Sequence, residues 1–148
     1  MTQREIASEI ALACLNPAIP YIWGGKDFFR DKGFDCSGFC QWVLGQVGAL
    51  PLNPPINSGA MWKLGVDRSL VTQTPKEGCL VFFGAGPTQV SHVMYCLSES
   101  VLIGAVEAGS KVTTPALAEK IGAKTESRPI SYRKDIVGII DFFSAIGA

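Results

Sequence analysis

The sequence contains a single histidine, His92, among its 148 residues. It also has no excess of charge, because 13 Lys and Arg residues balance 13 Asp and Glu residues. A nucleic-acid-binding domain typically carries a basic patch, so this composition argues against nucleic-acid partners. The only cluster of candidate metal ligands, Cys36-x-x-x-Cys40, is a poor match to the spacings of structural zinc sites. We therefore expect no metal and no other cofactor.

Long apolar runs are absent as well. No stretch approaches the roughly 20 apolar residues that a membrane-spanning helix requires. The start of the chain, residues 1–6, lacks the charged region followed by an apolar run that characterises a signal peptide. These features predict a protein without a transmembrane segment that is synthesised in the cytoplasm without a signal peptide.

The five cysteines are odd in number and irregularly spaced, which favours free thiols over a disulfide framework. Four of them lie in apolar surroundings typical of core residues. These four are Cys14, Cys40, Cys79 and Cys96. Cys36 differs from them because it lies at the start of a predicted helix.

The first half of the chain has helical patterns. Thr2-x-x-Glu5 is a plausible capping box for a helix with Ile6, Ile10 and Ala13 on one face. A second helix begins at Cys36, and a short third helix is predicted over Ser58–Leu64, after a proline-rich loop over Leu50–Pro55. The apolar stripe of the second helix is formed by Cys36, Phe39, Cys40, Val43, Leu44 and Val47.

The second half is rich in strands. Four apolar, β-prone segments are predicted to form an antiparallel sheet. They are Cys79–Phe83, Val93–Leu97, Val101–Ala105 and Ile136–Ile140. Pro115–Ile121 is predicted to be a surface helix. Helices followed by strands imply an α+β fold, and the length and absence of linkers imply one domain over residues 1–148.

The segment Asp35-Cys36-Ser37-Gly38-Phe39 has the features of a nucleophile site. Asp35 is a good N-cap, and a helix N-terminus lowers the pKa of a thiol in its first turn. A nearby imidazolium lowers that pKa further, and His92 supplies the only imidazole. A cysteine on an apolar helix face is more often a core residue, so the residues alone leave both interpretations open.

Three sequence blocks, in order from residue 20 to about residue 105, resemble the NlpC-type cell-wall cysteine peptidases. The first block is Pro20-Tyr21-x-Trp23-Gly24-Gly25 with Asp35-Cys36-Ser37-Gly38-Phe39, the second is Gly78-Cys79-Leu80-Val81-Phe82-Phe83, and the third is Ser91-His92-Val93-x-Tyr95. The resemblance implies a papain-like fold in which the nucleophile begins a helix packed on an antiparallel sheet of at least four strands. It also implies hydrolysis of peptidoglycan stem peptides, often beside a D-glutamyl residue, through an acyl-enzyme thioester.

By position, the resemblance makes Cys36 the nucleophile and His92 the general base and later the acid. It places Tyr21 where a hydroxyl helps to bind the oxyanion, with Asp35 and Ser37 beside the nucleophile. The backbone N–H of Cys36 is a natural oxyanion donor because it lies at a helix start. Residues expected to contact the substrate are Trp23, Gly24 and Ser91.

The chain departs from the family pattern at the group that orients the catalytic histidine. Many members use a second histidine on the next strand, where this chain has Gly104. Glu107 is the nearest polar candidate for a third catalytic member, although strand alternation points it away from the face of Gly104. A backbone carbonyl or a water molecule could take the same role. Cys79 replaces the aspartate that usually precedes the first core strand.

Three functions remain open at this stage. The leading one is a peptidoglycan endopeptidase or amidase, associated with a phage tail or virion or delivered to the cell wall by another route, such as a secretion system. A thiol acyltransferase would use the same nucleophile. A catalytically inactive structural module of a phage tail or secretion assembly would explain the missing second histidine.

Overall fold

The computed structural model describes residues 1–26, 31–106 and 111–146, and over these ranges the chain is α+β. The four α-helices of the described residues are α1 (Gln3–Ala13), α2 (Cys36–Gln46), α3 (Ser58–Asp67) and α4 (Pro115–Ile121). The strands are β1 (Val71–Thr72), β2 (Leu80–Gly84), β3 (Val90–Cys96), β4 (Val101–Val106), β5 (Lys124–Pro129) and β6 (Ile136–Ile140). Short 3-10 helices cover Ile130–Tyr132 and Phe142–Ile146. None of the described helices is both long and apolar enough to cross a bilayer.

The strands form one antiparallel sheet in the order β1-β6-β2-β3-β4-β5. The four predicted strands are confirmed as β2, β3, β4 and β6, and α4 has its predicted bounds. The sequence did not predict β1, which has only two residues, or β5, in which Thr125 alone is buried. Both are edge strands, and neither has the apolar alternation from which strands are predicted.

The α1 helix begins with the predicted capping box, because Thr2 and Glu5 cap each other's backbone N–H. Its buried face, however, is not the predicted one. The buried residues are Ala7, Ser8, Ala11 and the following Cys14, whereas Ile6 is 38% exposed. The residues that α1 buries are small, whereas the larger Ile10 packs against the core only partly buried.

The two faces of the sheet bury separate sets of side chains. The face that packs against the helices contributes Leu80, Phe82, Val93, Tyr95 and Ile103 to the main core. The opposite face buries Cys79, Val81, Phe83, Met94, Cys96 and Leu102 beneath Ile130 and Tyr132. The four cysteines predicted to be core residues are buried, and all five cysteines are free. The prediction of free thiols is therefore confirmed.

The proline-rich connection after α2 is a loop, as predicted. Gln41 of α2, which is 4% exposed, holds this loop against the helix. Its Nε2 donates to the carbonyls of Pro51 at 2.9 Å and Pro54 at 3.0 Å, and its Oε1 accepts the N–H of Ile56 at 3.1 Å. The loop therefore has a defined position beside α2, and α3 follows it.

Candidate active site

Cys36 is the first residue of α2, and the local sequence explains why the helix begins there. Asp35 has an extended backbone, and its Oδ1 accepts the N–H of Gly38 at 2.7 Å. Its carbonyl accepts the N–H of Phe39 at 3.0 Å, which is the first turn of the helix. The predicted N-cap and helix start are confirmed. Along the predicted stripe, Phe39, Cys40, Val43 and Leu44 are fully buried.

The glycine-rich segment over residues 20–25 lies directly against this helix start. Tyr21 forms a parallel bridge with Phe34, and the N–H of Asp35 donates to the carbonyl of Gly25 at 3.0 Å. A Cβ at position 38 would lie 2.0 Å from that same carbonyl oxygen, so only glycine fits at Gly38. The two halves of the first sequence block therefore contact each other backbone to backbone.

Lys26 completes this junction. Its Nζ lies 2.9 Å from Asp35 Oδ1 and 2.7 Å from Ser37 Oγ. The ammonium thus contacts both residues that flank Cys36. Lys26 could not be identified from the sequence, because nothing in its local pattern shows which side chains it will contact.

His92 lies near the start of β3, opposite Phe83 of β2. It is 7% exposed, and its ring centroid lies 5.7 Å from that of Phe83. Its Nε2 is buried and has no hydrogen-bond partner among the described residues. Burial, followed by the nearby cation of Arg133, lowers the pKa of His92 to about 4, against the opposing effect of Asp135.

The fold brings Cys36 to the strand that carries His92. The helix α2 packs against β3, and the backbone N–H of Val93, the residue after His92, interacts with the Cys36 thiol. The N–H of Ser37 also faces this sulfur. The Cys36 thiol thus reaches the β3 backbone one residue after His92.

The free thiol is not activated in the way that the sequence predicted. Burial raises the pKa of Cys36 to about 11, and the neighbouring Asp35 carboxylate adds to this effect. The Val93 N–H, Lys26 and the Ser37 N–H act in the opposite direction but do not outweigh it. The prediction of a lowered thiol pKa is wrong for the unbound protein, because desolvation exceeds the effect of the helix terminus. At neutral pH both Cys36 and His92 are uncharged.

The remaining predicted residues occupy different environments. Tyr21 is 6% exposed, and its backbone N–H donates to the carbonyl of Ala123 at 3.0 Å. Trp23, by contrast, is 52% exposed. Gly24 has a φ of +74°, which favours glycine, and faces open space. Ser91 is exposed beside His92. These positions leave Trp23, Gly24 and Ser91 accessible to a ligand.

A model of the NlpC/P60 family matches residues 18–128. The chain belongs to the NlpC/P60 family. It is 37% identical over 98 residues to Protein P54 of Enterococcus faecium, covering 63% of this chain and 16% of that protein. It is 38% identical over 66 residues to the bifunctional muramidase/DL-endopeptidase CwlT of Bacillus subtilis, covering 44% of this chain and 18% of that protein. The chain therefore spans less than a fifth of the length of these relatives.

The fold is also that of solved NlpC/P60 proteins. An NlpC/P60 family protein from Bacillus cereus superposes with a TM-score of 0.66 at 23% identity, covering 95% of this chain and 43% of that one. The predicted α+β, papain-like fold of the NlpC type is thereby confirmed, with the candidate nucleophile at a helix start and the sheet packed against it.

Gly104, where an orienting residue for His92 was expected, has no side chain for that role. A Cβ on Gly104 would lie 2.9 Å from the sulfur of Met94, so the Met94 side chain occupies the space beside that position. The hydroxyl of Tyr132 donates to the same sulfur at 3.4 Å. Glu107, the predicted third member, lies outside the described residues. The orienting role predicted for it therefore stays a prediction.

Other groups near the site come from distant parts of the chain. Arg133 and Asp135, which form an ion pair with each other and shift the pKa of His92, precede β6.

A groove of about 470 Å³ lies where β3 begins, and its lining includes Trp62, Val66 and Pro87. No three His, Cys, Asp or Glu side chains within residues 1–26, 31–106 and 111–146 are placed to hold a metal ion.

Proposed function

We propose that this NlpC/P60 protein is a cysteine peptidase or amidase that hydrolyses an amide bond in peptidoglycan stem peptides. The observation that carries the proposal is the contact of the Cys36 thiol with the N–H that follows His92, at the start of an apolar helix. Family membership supports the substrate class, and the DL-endopeptidase named among its relatives favours cleavage within the peptide.

In the proposed mechanism, His92 removes the thiol proton as Cys36 sulfur attacks the amide carbonyl carbon. Nδ1 is the ring nitrogen left for this transfer, because Nε2 is buried. The backbone N–H of Cys36 and the hydroxyl of Tyr21 would stabilise the oxyanion. Collapse of the intermediate forms a thioester and expels the amine, which receives the proton from His92. Water then attacks the thioester, again with His92 as base, and releases a carboxylic acid and the thiol.

The uncharged state of both groups is compatible with this sequence of steps. A neutral imidazole can accept a proton, and the partly buried Cys36 thiol need not be ionised before the substrate arrives. We propose that the exposed Trp23, Gly24 and Ser91 contact the stem peptide. The groove beside Trp62 and Val90 offers space for a further part of the substrate.

The direct test is incubation with purified peptidoglycan of several wall chemotypes, followed by mass spectrometry of the products. We expect cleavage by the wild type, loss of cleavage in Cys36→Ala and His92→Ala, and unchanged cleavage in Cys14→Ala. Cys14 is a suitable control because it is a buried thiol on another helix end. Failure of the wild type on every chemotype would contradict the proposal.

A second candidate is an inactive structural module of a phage tail or secretion assembly. It is favoured by the Nε2 of His92, which has no partner within the described part of the chain, and by the raised pKa of the Cys36 thiol. A thiol-selective probe distinguishes the two candidates. An enzyme predicts faster labelling of Cys36 than of Cys14 or Cys40, with a loss of that advantage in His92→Ala. Labelling of Cys36 at the rate of the buried cysteines would favour the structural module. Association with a virion or with a delivery system stays a prediction.

A further inference from the structure

Lys26 forms a partly buried charge cluster that the proposed mechanism does not use. Its side chain is 18% exposed and that of its partner Asp35 is 14% exposed. The ammonium also lies within hydrogen-bond distance of Ser37 Oγ, and Ser37 Oγ lies 3.3 Å from Asp35 Oδ1. The exposed Lys63–Asp67 pair is very different, since its side chains are 75% and 57% exposed.

The Asp35 carboxylate creates an electrostatic problem for Cys36. It is needed as the N-cap of α2, where its Oδ1 accepts the Gly38 N–H. A carboxylate beside a nucleophilic thiol nevertheless disfavours the thiolate, because like charges repel more strongly away from bulk water. A cation that binds this carboxylate offsets the repulsion. Lys26 is in direct contact with it.

His92 is poorly placed to supply that positive charge itself. Its ring is largely buried, packs against Phe83, and has the guanidinium of Arg133 nearby. These surroundings disfavour the imidazolium. The groups that face Cys36 are Lys26 and Asp35 from the preceding segment, Cys40 from the next turn of α2, and the backbone of β3 after His92.

We propose that Lys26 is a positioning residue for the reaction of Cys36: its ammonium neutralises Asp35 and supplies the positive charge against which the thiolate forms. The inference rests on the proposed function only in taking Cys36 as the nucleophile. The electrostatic effects on the thiol agree with this role, since Asp35 raises the pKa of Cys36 and Lys26 lowers it. Loss of Lys26 therefore removes one favourable interaction and leaves an unfavourable one unopposed.

The test measures the rate of iodoacetamide alkylation at Cys36 as a function of pH, by peptide mass spectrometry. We expect Lys26→Met to raise the thiol pKa by on the order of one unit, which lowers the alkylation rate about tenfold at a fixed pH below the pKa. Lys26→Arg retains the positive charge and should titrate close to the wild type. Lys63→Met removes an exposed, paired lysine and should leave the profile unchanged.

A profile of Lys26→Met that superposes on the wild type would overturn the inference, as would an equal shift in Lys63→Met. The fold of each variant is checked by its unfolding midpoint, and Lys26→Gln replaces Lys26→Met if the latter does not fold. Asp35→Asn gives a second readout, because Asn is an equally good N-cap. Removing the carboxylate should shift the thiol pKa in the direction opposite to Lys26→Met; an absent shift, or one in the same direction, would overturn the inference.

Peptidoglycan cleavage is scored separately, so that the two proposals can fail independently. A wild type that does not cleave, together with a shifted titration in Lys26→Met, would refute the proposed function and support the role of Lys26. A wild type that cleaves, together with an unshifted titration in Lys26→Met, would support the proposed function and refute the role of Lys26.

Discussion

The imidazole of His92 is largely buried beside an aromatic ring. Phe83 packs against it, and Arg133 in turn lies with its guanidinium carbon 5.2 Å from the Phe83 ring centroid. Such surroundings stabilise the neutral ring, which is the form that a general base needs. They also fix the ring by packing, in a region where Gly104 offers no polar side chain.

The pKa of His92 makes stability dependent on pH. Its value falls from the ordinary 6.5 to about 4 on folding, so the unfolded chain binds the proton more readily. The contribution of neutral His92 is complete above about pH 6.5 and is lost as pH falls towards 4. Between about pH 7 and about pH 4.5, the unfolding free energy of the wild type should decrease by about 2 to 3 kcal/mol more than that of His92→Gln. Urea titration measures both, and parallel profiles would contradict the assignment.

The contact between the glycine-rich segment and α2 places the nucleophile. Each partner has a recognisable sequence, but their approach depends on the absence of a side chain at Gly38. The carbonyl of Gly25 accepts the Asp35 N–H and also lies where a side chain at position 38 would begin. The small residue after Ser37 is therefore required by packing, independently of any contact with substrate.

Gly38→Ala tests this contact. The new methyl group would meet a backbone oxygen, which moves less readily than a side chain, so we expect a loss of about 1 to 3 kcal/mol in the free energy of unfolding. Gly86→Ala is the matched control, because a Cβ there meets open space. Urea unfolding compares the two, and equal stability of Gly38→Ala and the wild type would show that the helix start can shift freely.

The beginning and end of the described chain are joined through Arg4. Its guanidinium lies 2.8 Å from Asp141 Oδ2 and donates to the carbonyl of Glu77 at 2.9 Å. Asp141 is 5% exposed, and its Oδ1 also accepts the N–H of Phe143 at 3.1 Å. This network connects α1 to the residues after β6, and so ties the helical layer to the sheet.

Asp141→Ala should be strongly destabilising, because it leaves a largely buried guanidinium without its anion. Removal of one partner of a buried pair costs about 3 to 5 kcal/mol. Asp67→Ala removes the anion of an exposed pair and should cost less than about 0.5 kcal/mol. Chemical denaturation of both variants provides the comparison. A similar small loss in each would mean that the Arg4 network contributes little.

Much of the fold follows from short-range patterns in this sequence. Thr2 and Asp35 mark helix starts through their own side chains, and the four apolar strands are continuous in sequence. The polar β5 was missed because its pairing with β4 is stabilised by backbone hydrogen bonds that carry no side-chain signature. The buried face of α1 was misassigned because the residues that it buries are small, whereas the prediction followed the larger isoleucines.

The candidate nucleophile and base could be found from the sequence because a helix-start cysteine, its N-cap and a unique histidine are local features. Their protonation states could not, since desolvation and the nearby charges come from segments that meet only after folding. Lys26, Val93 and Arg133 illustrate this point: each acts on Cys36 or His92 through space. The sequence by itself therefore determines which titratable groups are available, and the tertiary structure determines how strongly each group holds its proton.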